Sequence, residues 1–217
     1  VGSEMCIRDR LKIAKEVQAT LFPQILPIIP GLEYYGVCRQ ARQVGGDYYD
    51  FLQYEPEKLW IAVGDASGKG IGSALLMSGL QALLRSQAPI YRDSPARLVK
   101  RLNHLLLERI QDNKFATLFL GIFDSRSRRL CYVNAGHCYP LVIPGPDNPS
   151  GIRCLESTGT IVGMFNDTEF GQEEVELHPG ELLAIYSDGL TDAVDGSGEL
   201  YCEKRLGETR MVLVCMN

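Results

Sequence analysis

Three stretches of the sequence carry acidic residues in settings suited to chemistry. They are Gly45-Gly46-Asp47-Tyr48-Tyr49-Asp50, Val63-Gly64-Asp65-Ala66-Ser67-Gly68-Lys69-Gly70 and Tyr186-Ser187-Asp188-Gly189-Leu190-Thr191-Asp192. In the last two, an apolar stretch of strand character delivers an Asp at its C-terminal end, and a turn follows. A carboxylate at such a place can leave the ladder and face a cleft, and neighbouring glycines let carbonyls and waters approach closely. Hard divalent cations such as Mg²⁺ and Mn²⁺ take oxygen ligands of this kind. Two such ions roughly 3.5–4 Å apart can share a water, lower its pKa towards about 7 and aim it in line at phosphorus. A single Asp-Gly is commonly only a turn. Three Asp, each beside a glycine, are a stronger signal, though composition alone leaves the chemistry open.

Other chemistries fail on spacing. The glycine-rich run 64–72 lacks the G-x-x-x-x-G-K-[ST] of a phosphate loop, because Gly64 and Gly68 stand one residue too close and Gly70 follows Lys69. Gly68, Gly70 and Gly72 are spaced G-x-G-x-G, not the G-x-G-x-x-G of a dinucleotide site. There is no G-x-S-x-G elbow and no Cys followed six positions later by Arg. The three histidines, His104, His137 and His178, cannot form H-E-x-x-H. Seven cysteines, an odd number without C-x-x-C, argue against a disulfide framework or zinc site and fit a reducing, cytoplasmic setting. Cys138 beside His137 reads as a small, half-buried residue rather than a ligand.

The elements that must position these residues follow from periodicity. A helix is predicted over 11–22, with Leu11, Ala14, Val17 and Leu21 at helical spacing. It is either a linker from an upstream domain or a helix packed on its own core. The Pro-containing stretch 23–30 breaks it. Strands are predicted over 32–39, 48–54 and 59–64, and helices over 71–87 and about 94–110, the second with Ser94 as N-cap and Pro95 in its first turn. Further strands are predicted over 115–123, 130–134, 141–143, 171–177 and 181–186. Strands, two helices, then strands again read as α+β. The cluster Arg126, Arg128 and Arg129 reads as a solvated hairpin turn.

The chain has 217 residues, 45% hydrophobic and 23% charged, which suits one sizeable domain with a proper core. The formal net charge of −5 disfavours nucleic acid as a partner and suits a cation-binding cleft. No apolar run reaches membrane-spanning length. Residues 1–10 look foreign or disordered and are set aside from fold reasoning.

Four ordered stretches, V-G-G-D-Y-Y-D, G-D-A-S-G-K-G-I-G-S-A-L-L-M, N-A-G-H and Y-S-D-G-L-T-D, resemble the SpoIIE/RsbU-type serine phosphatases. These are a bacterial branch of the type 2C (PPM) metal-dependent protein phosphatases. The resemblance runs from about residue 13 to 206. It implies an α+β fold, a two-sheet antiparallel β-sandwich flanked by helix pairs, with a linker helix and connection over 11–30 and the phosphatase domain over 31–206. It implies two divalent cations, Mn²⁺ or Mg²⁺, at one end of the sandwich. Asp65 matches the carboxylate bridging both metals, with the Ala66 carbonyl as a backbone ligand. Asp188 matches a ligand of the first metal, and Asp47 the acidic residue near the second, directly or through water. Asp50 is read as orienting these ligands. Arg42 has two readings, the substrate phosphate or a surface ion pair, of which the ion pair is favoured.

The resemblance also implies a substrate, a phosphoserine or phosphothreonine on a STAS-domain anti-sigma factor antagonist, and an upstream sensor domain. Dimerisation through the N-terminal helix is a further expectation. Two departures matter. The family continues beyond Glu203 to a last strand carrying D-D/N-x-T, whereas residues 209–217 contain no acidic residue, and Tyr201-Cys202 replaces aromatic-Gly. The expectation is an atypical tail over 207–217, a missing metal-ligating Asp and edge strand, and weaker binding at the first metal. The alternatives are a catalytically impaired partner-binding domain of the same fold and, disfavoured by its glycine spacings, a nucleotide-binding module.

Overall fold

The computed structural model describes residues 2–40, 43–109, 114–145 and 151–194. The elements in chain order are α1 (Gly2–Ala19), β1 (Asp47–Glu55), β2 (Lys58–Ala66), α2 (Ile71–Gln87), α3 (Pro95–Leu107), β3 (Ala116–Asp124), β4 (Arg129–Ala135), β5 (Leu141–Ile143), β6 (Arg153–Cys154), β7 (Glu173–Glu176), β8 (Leu182–Ala184) and α4 (Asp188–Thr191). One sheet has the order β1-β2-β3-β4-β7 and a smaller one β6-β5-β8, all paired antiparallel.

Strand β2 shows why the strands read as nearly continuous apolar runs. Trp60, Ala62 and Ala66 face a core shared with Met77, Leu80 and Leu84 of α2 and Leu98, Leu102 and Leu106 of α3. Leu59, Ile61 and Val63 face the opposite core, shared with Val142 and Leu155 around the smaller sheet and with Ile185. A strand covered on both faces has no polar side to alternate with. Helix α3 begins as the sequence predicts: the Ser94 hydroxyl accepts from the Arg97 N–H at 3.3 Å, and Pro95 occupies the first turn.

The α+β sandwich agrees with expectation, with three differences. Helix α1 is longer than the predicted 11–22 helix at its start, with bounds Gly2–Ala19. Residues 32–39 join no ladder among the described residues; side chains hold them instead, the Tyr49 hydroxyl donating to the Gly36 carbonyl at 3.0 Å. Only one helix pair of the sandwich, α2 with α3, lies among the described residues, and the short α4 was not foreseen. The tail 207–217 lies outside the described residues. No helix among them is long and apolar enough to cross a membrane.

Candidate metal centre

Strand register assembles the site. Asp47 and Asp65 stand directly opposite each other across β1 and β2, and Thr117 on β3 stands opposite Asp65. Asp47 shares the parity of Tyr49 and Phe51, and Asp65 that of Ile61 and Val63, so both carboxylates belong to the inner face between the sheets. Like charges directly opposed in a sheet are destabilising. Asp188 joins them from the start of α4, just after β8.

The electrostatics record that crowding. Burial, then the charges of Asp65 and Asp188, push the Asp47 carboxyl up to about 7, with Ser187 pulling the other way. Burial and Asp188 push Asp65 up to about 6, opposed by the Ala66 backbone N–H. Cys38 lies close enough to be raised to about 12 by burial and by the Asp47 and Asp65 charges, so its thiol stays protonated.

Asp47 is 0% exposed, and neither carboxylate oxygen meets a partner at full hydrogen-bond distance and angle; the Ser187 hydroxyl and the Asp47 N–H lie near enough only to ease its charge, less than burial and Asp65 oppose it. An ionised carboxylate in that position needs a cation. Gly46 adds a second indication. A Cβ there would lie 2.4 Å from the Ala66 carbonyl oxygen and 2.9 Å from Asp65 Oδ1. The two oxygen donors thus converge on a backbone that only glycine can supply. Carboxylates plus a backbone carbonyl suit an oxygen-preferring divalent cation, so the residues present fit the metal the sequence implies. They do not finish a cage: among the described residues no three His, Cys, Asp or Glu side chains close around one point.

The structure therefore brings Asp47, Asp65, Ala66 and Asp188 to one end of the sandwich. Arg42 lies outside the described residues. Asp50 is a correction. It lies on the other face of β1, where Arg85 of α2 holds it with two bonds of 2.7 Å, Tyr48 Oη donates at 2.8 Å and the Phe51 N–H at 3.0 Å. It ties α2 to β1 and does not orient the other carboxylates. The hairpin arginines are paired as a solvated turn would have them, Arg126 with Glu57, Arg128 with Glu176 and Arg129 with Glu174.

Sequence reasoning missed two supports. Gln18 of α1, 6% exposed, grips both polar groups of Gly45: its amide donates to the Gly45 carbonyl at 2.8 Å and accepts the Gly45 N–H at 3.2 Å. The available signal was a polar residue at helical spacing with Leu11, Ala14 and Leu21. The second is His137, 4% exposed, whose Nδ1 lies 2.8 Å from Thr117 Oγ1. Burial lowers its pKa to about 4 against a smaller upward pull from the Tyr186 backbone, so the ring is neutral; Nε2 meets no partner within hydrogen-bond geometry.

Comparison with known proteins bears on the family and the fold. The family model described as stage II sporulation protein E (SpoIIE) matches residues 55–211. Protein IcfG of Synechocystis is 31% identical, covering 93% of this chain and 36% of that protein. Phosphoserine phosphatase RsbU of Bacillus subtilis is 29% identical, covering 92% of this chain and 58% of that protein. The chain thus spans between about a third and three-fifths of the length of these relatives. The PP2C domain of SiaA from Pseudomonas aeruginosa superposes with a TM-score of 0.82 at 20% identity, covering 95% of this chain and 82% of that one, a likeness of fold.

Proposed function

We propose that this chain, which belongs to the SpoIIE family, is a metal-dependent protein serine/threonine phosphatase that hydrolyses phosphoserine on a regulatory protein. The observation that carries the reading is the opposed pair Asp47 and Asp65, one of them fully buried with neither oxygen meeting a partner at full hydrogen-bond distance and angle. Asp47, Asp65, the Ala66 carbonyl and Asp188 would hold two divalent cations, Mn²⁺ or Mg²⁺. Bound there, the cations would supply a water of lowered pKa and offset charge on the phosphoryl oxygens. The protein's own contribution is to hold the carboxylates on a rigid sheet and to keep the Gly46 backbone close to Ala66. Similarity to a phosphoserine phosphatase supports the activity. The family resemblance supports a phosphorylated STAS-domain anti-sigma factor antagonist as substrate, a sensor domain upstream and a cytoplasmic setting. Ile13 and Val17, one turn apart and exposed on α1, suit a homodimer through that helix.

The test is hydrolysis of a phosphorylated STAS-domain protein with Mn²⁺, with chelator and with Asp65→Asn. Turnover is expected only with metal and the intact Asp65; chelator-insensitive turnover would refute the reading. The unfinished cage favours one second reading, a catalytically impaired partner-binding domain. That reading expects tight binding of the phosphoprotein without turnover at saturating Mn²⁺.

A further inference from the structure

The turn after β4 is built to aim one side chain. Asn134, the penultimate residue of β4, accepts the His137 N–H through Oδ1 at 2.8 Å. Its own backbone N–H donates to Thr158 Oγ1 at 3.0 Å, and its carbonyl accepts from the Thr158 and Gly159 amides at 2.9 and 3.2 Å. Gly136 has φ +67°, and a Cβ there would lie 2.7 Å from Ile161 Cγ2, so only glycine makes this turn without strain. The result is a buried imidazole held against the Thr117 hydroxyl.

Thr117 in turn accepts the Asp65 N–H through Oγ1 at 3.3 Å. The two residues are directly opposite on the inner face of the sheet, where side chains lie about 5 Å apart. A threonine hydroxyl has a single proton, which it can give either to a neighbouring carboxylate or to an imidazole nitrogen. No bond to the carboxylate forms here. With Nδ1 as acceptor, the hydroxyl proton turns towards His137 and away from Asp65.

We propose that His137 is a positioning residue for the cation-binding carboxylate of Asp65, acting through the hydroxyl of Thr117. The inference rests on the metal-site reading above and adds to it what keeps the Asp65 oxygens free. Thr117 Oγ1 has one proton and two lone pairs, one of which takes the Asp65 N–H; giving that proton to Nδ1 requires the ring's own proton on Nε2.

Two measurements test it. Nitrogen-15 NMR of the intact chain should show His137 neutral with the proton on Nε2; a proton on Nδ1 would overturn the inference whatever the variants do. Mn²⁺ titration then follows the coupling. His137→Leu and Thr117→Val should each weaken Mn²⁺ binding roughly 10- to 100-fold. Thr117→Ser should restore most of the loss, as should His137→Asn, which returns an acceptor near the Nδ1 position. The double variant His137→Leu/Thr117→Val should bind no more weakly than Thr117→Val alone, because His137 acts only through that hydroxyl. Additive losses, or variants that bind Mn²⁺ as the unmodified chain does, would overturn the inference and leave the metal site standing. An unmodified chain that binds no Mn²⁺ would remove the metal site and this inference with it.

Discussion

Asp47 should destabilise the metal-free protein at neutral pH, and replacing it should stabilise the fold. Its carboxyl is raised from an ordinary 3.8 to about 7 in the folded state, chiefly by burial and then by Asp65. Because the folded state holds this proton more tightly than the unfolded chain, the associated stability is full below pH 3.8 and is lost as pH climbs through 7. The shift corresponds to about 4 kcal/mol at pH 8. About 3 kcal/mol of this develops between pH 5 and pH 8. His137 works in the opposite direction, since burial lowers it to about 4 and acidification below 6.5 then costs stability. Asp65, raised to about 6, works in the same direction as Asp47, so the pH profile of the unmodified chain alone mixes three effects. The difference between it and Asp47→Asn cancels His137 and Asp65, whose shift comes from burial and Asp188, and isolates the Asp47 carboxylate. Urea denaturation in chelator should find Asp47→Asn more stable by about 4 kcal/mol at pH 8, with the gap narrowing by about 3 kcal/mol at pH 5. Adding Mn²⁺ should reverse the order at pH 8, because only the unmodified chain gains binding energy from all its carboxylates. A variant less stable than the unmodified chain at pH 8 in chelator, or a gap that does not move with pH, would refute the account of Asp47 as a buried charge awaiting a cation.

Gln18→Ala removes both bonds to Gly45 and should cost about 2 kcal/mol in denaturant unfolding, with a parallel loss of Mn²⁺ affinity because Gly45 leads directly into Gly46 and Asp47. If Mn²⁺ affinity survives that substitution, α1 does not position the site. Arg85→Ala leaves the fully buried Asp50 without its cation while Tyr48 still donates to it. The expected loss is about 3 kcal/mol, at the lower end for a broken buried pair since Arg85 itself is half exposed. Urea unfolding checks it, and a change within about 0.5 kcal/mol would show that α2 is not tied to β1 through this pair.

The strands and helices around the site were legible because their signals are local. Ser94-Pro95 announced α3, and the apolar content of β2 announced a strand. What escaped was non-local. Asp50 reads like Asp47 in sequence, yet strand alternation sends it to the opposite face, where a helix residue 35 positions away claims it. Residues 32–39 have strand composition but no partner strand among the described residues, and a ladder cannot be read from one of its two sides. The glycines show the same limit. Gly46 and Gly72 both sit in recognisable motifs, and nothing in the sequence ranks one above the other. In the structure a Cβ at Gly72 meets nothing within 4 Å, whereas at Gly46 it would lie 2.4 Å from the Ala66 carbonyl and 2.9 Å from Asp65 Oδ1. The Ala66 N–H also donates to the Gly46 carbonyl at 3.1 Å, so the two strands cannot part without losing that bond. A methyl group at position 46 must therefore displace the donors themselves. Gly46→Ala should lower Mn²⁺ affinity more than tenfold, while Gly72→Ala, at the start of α2, should keep it and gain up to about 1 kcal/mol of helix stability. Mn²⁺ binding by Gly46→Ala equal to that of the unmodified chain would mean that the cation is held away from Ala66 and Asp65, and the site would have to be sought elsewhere on the sandwich.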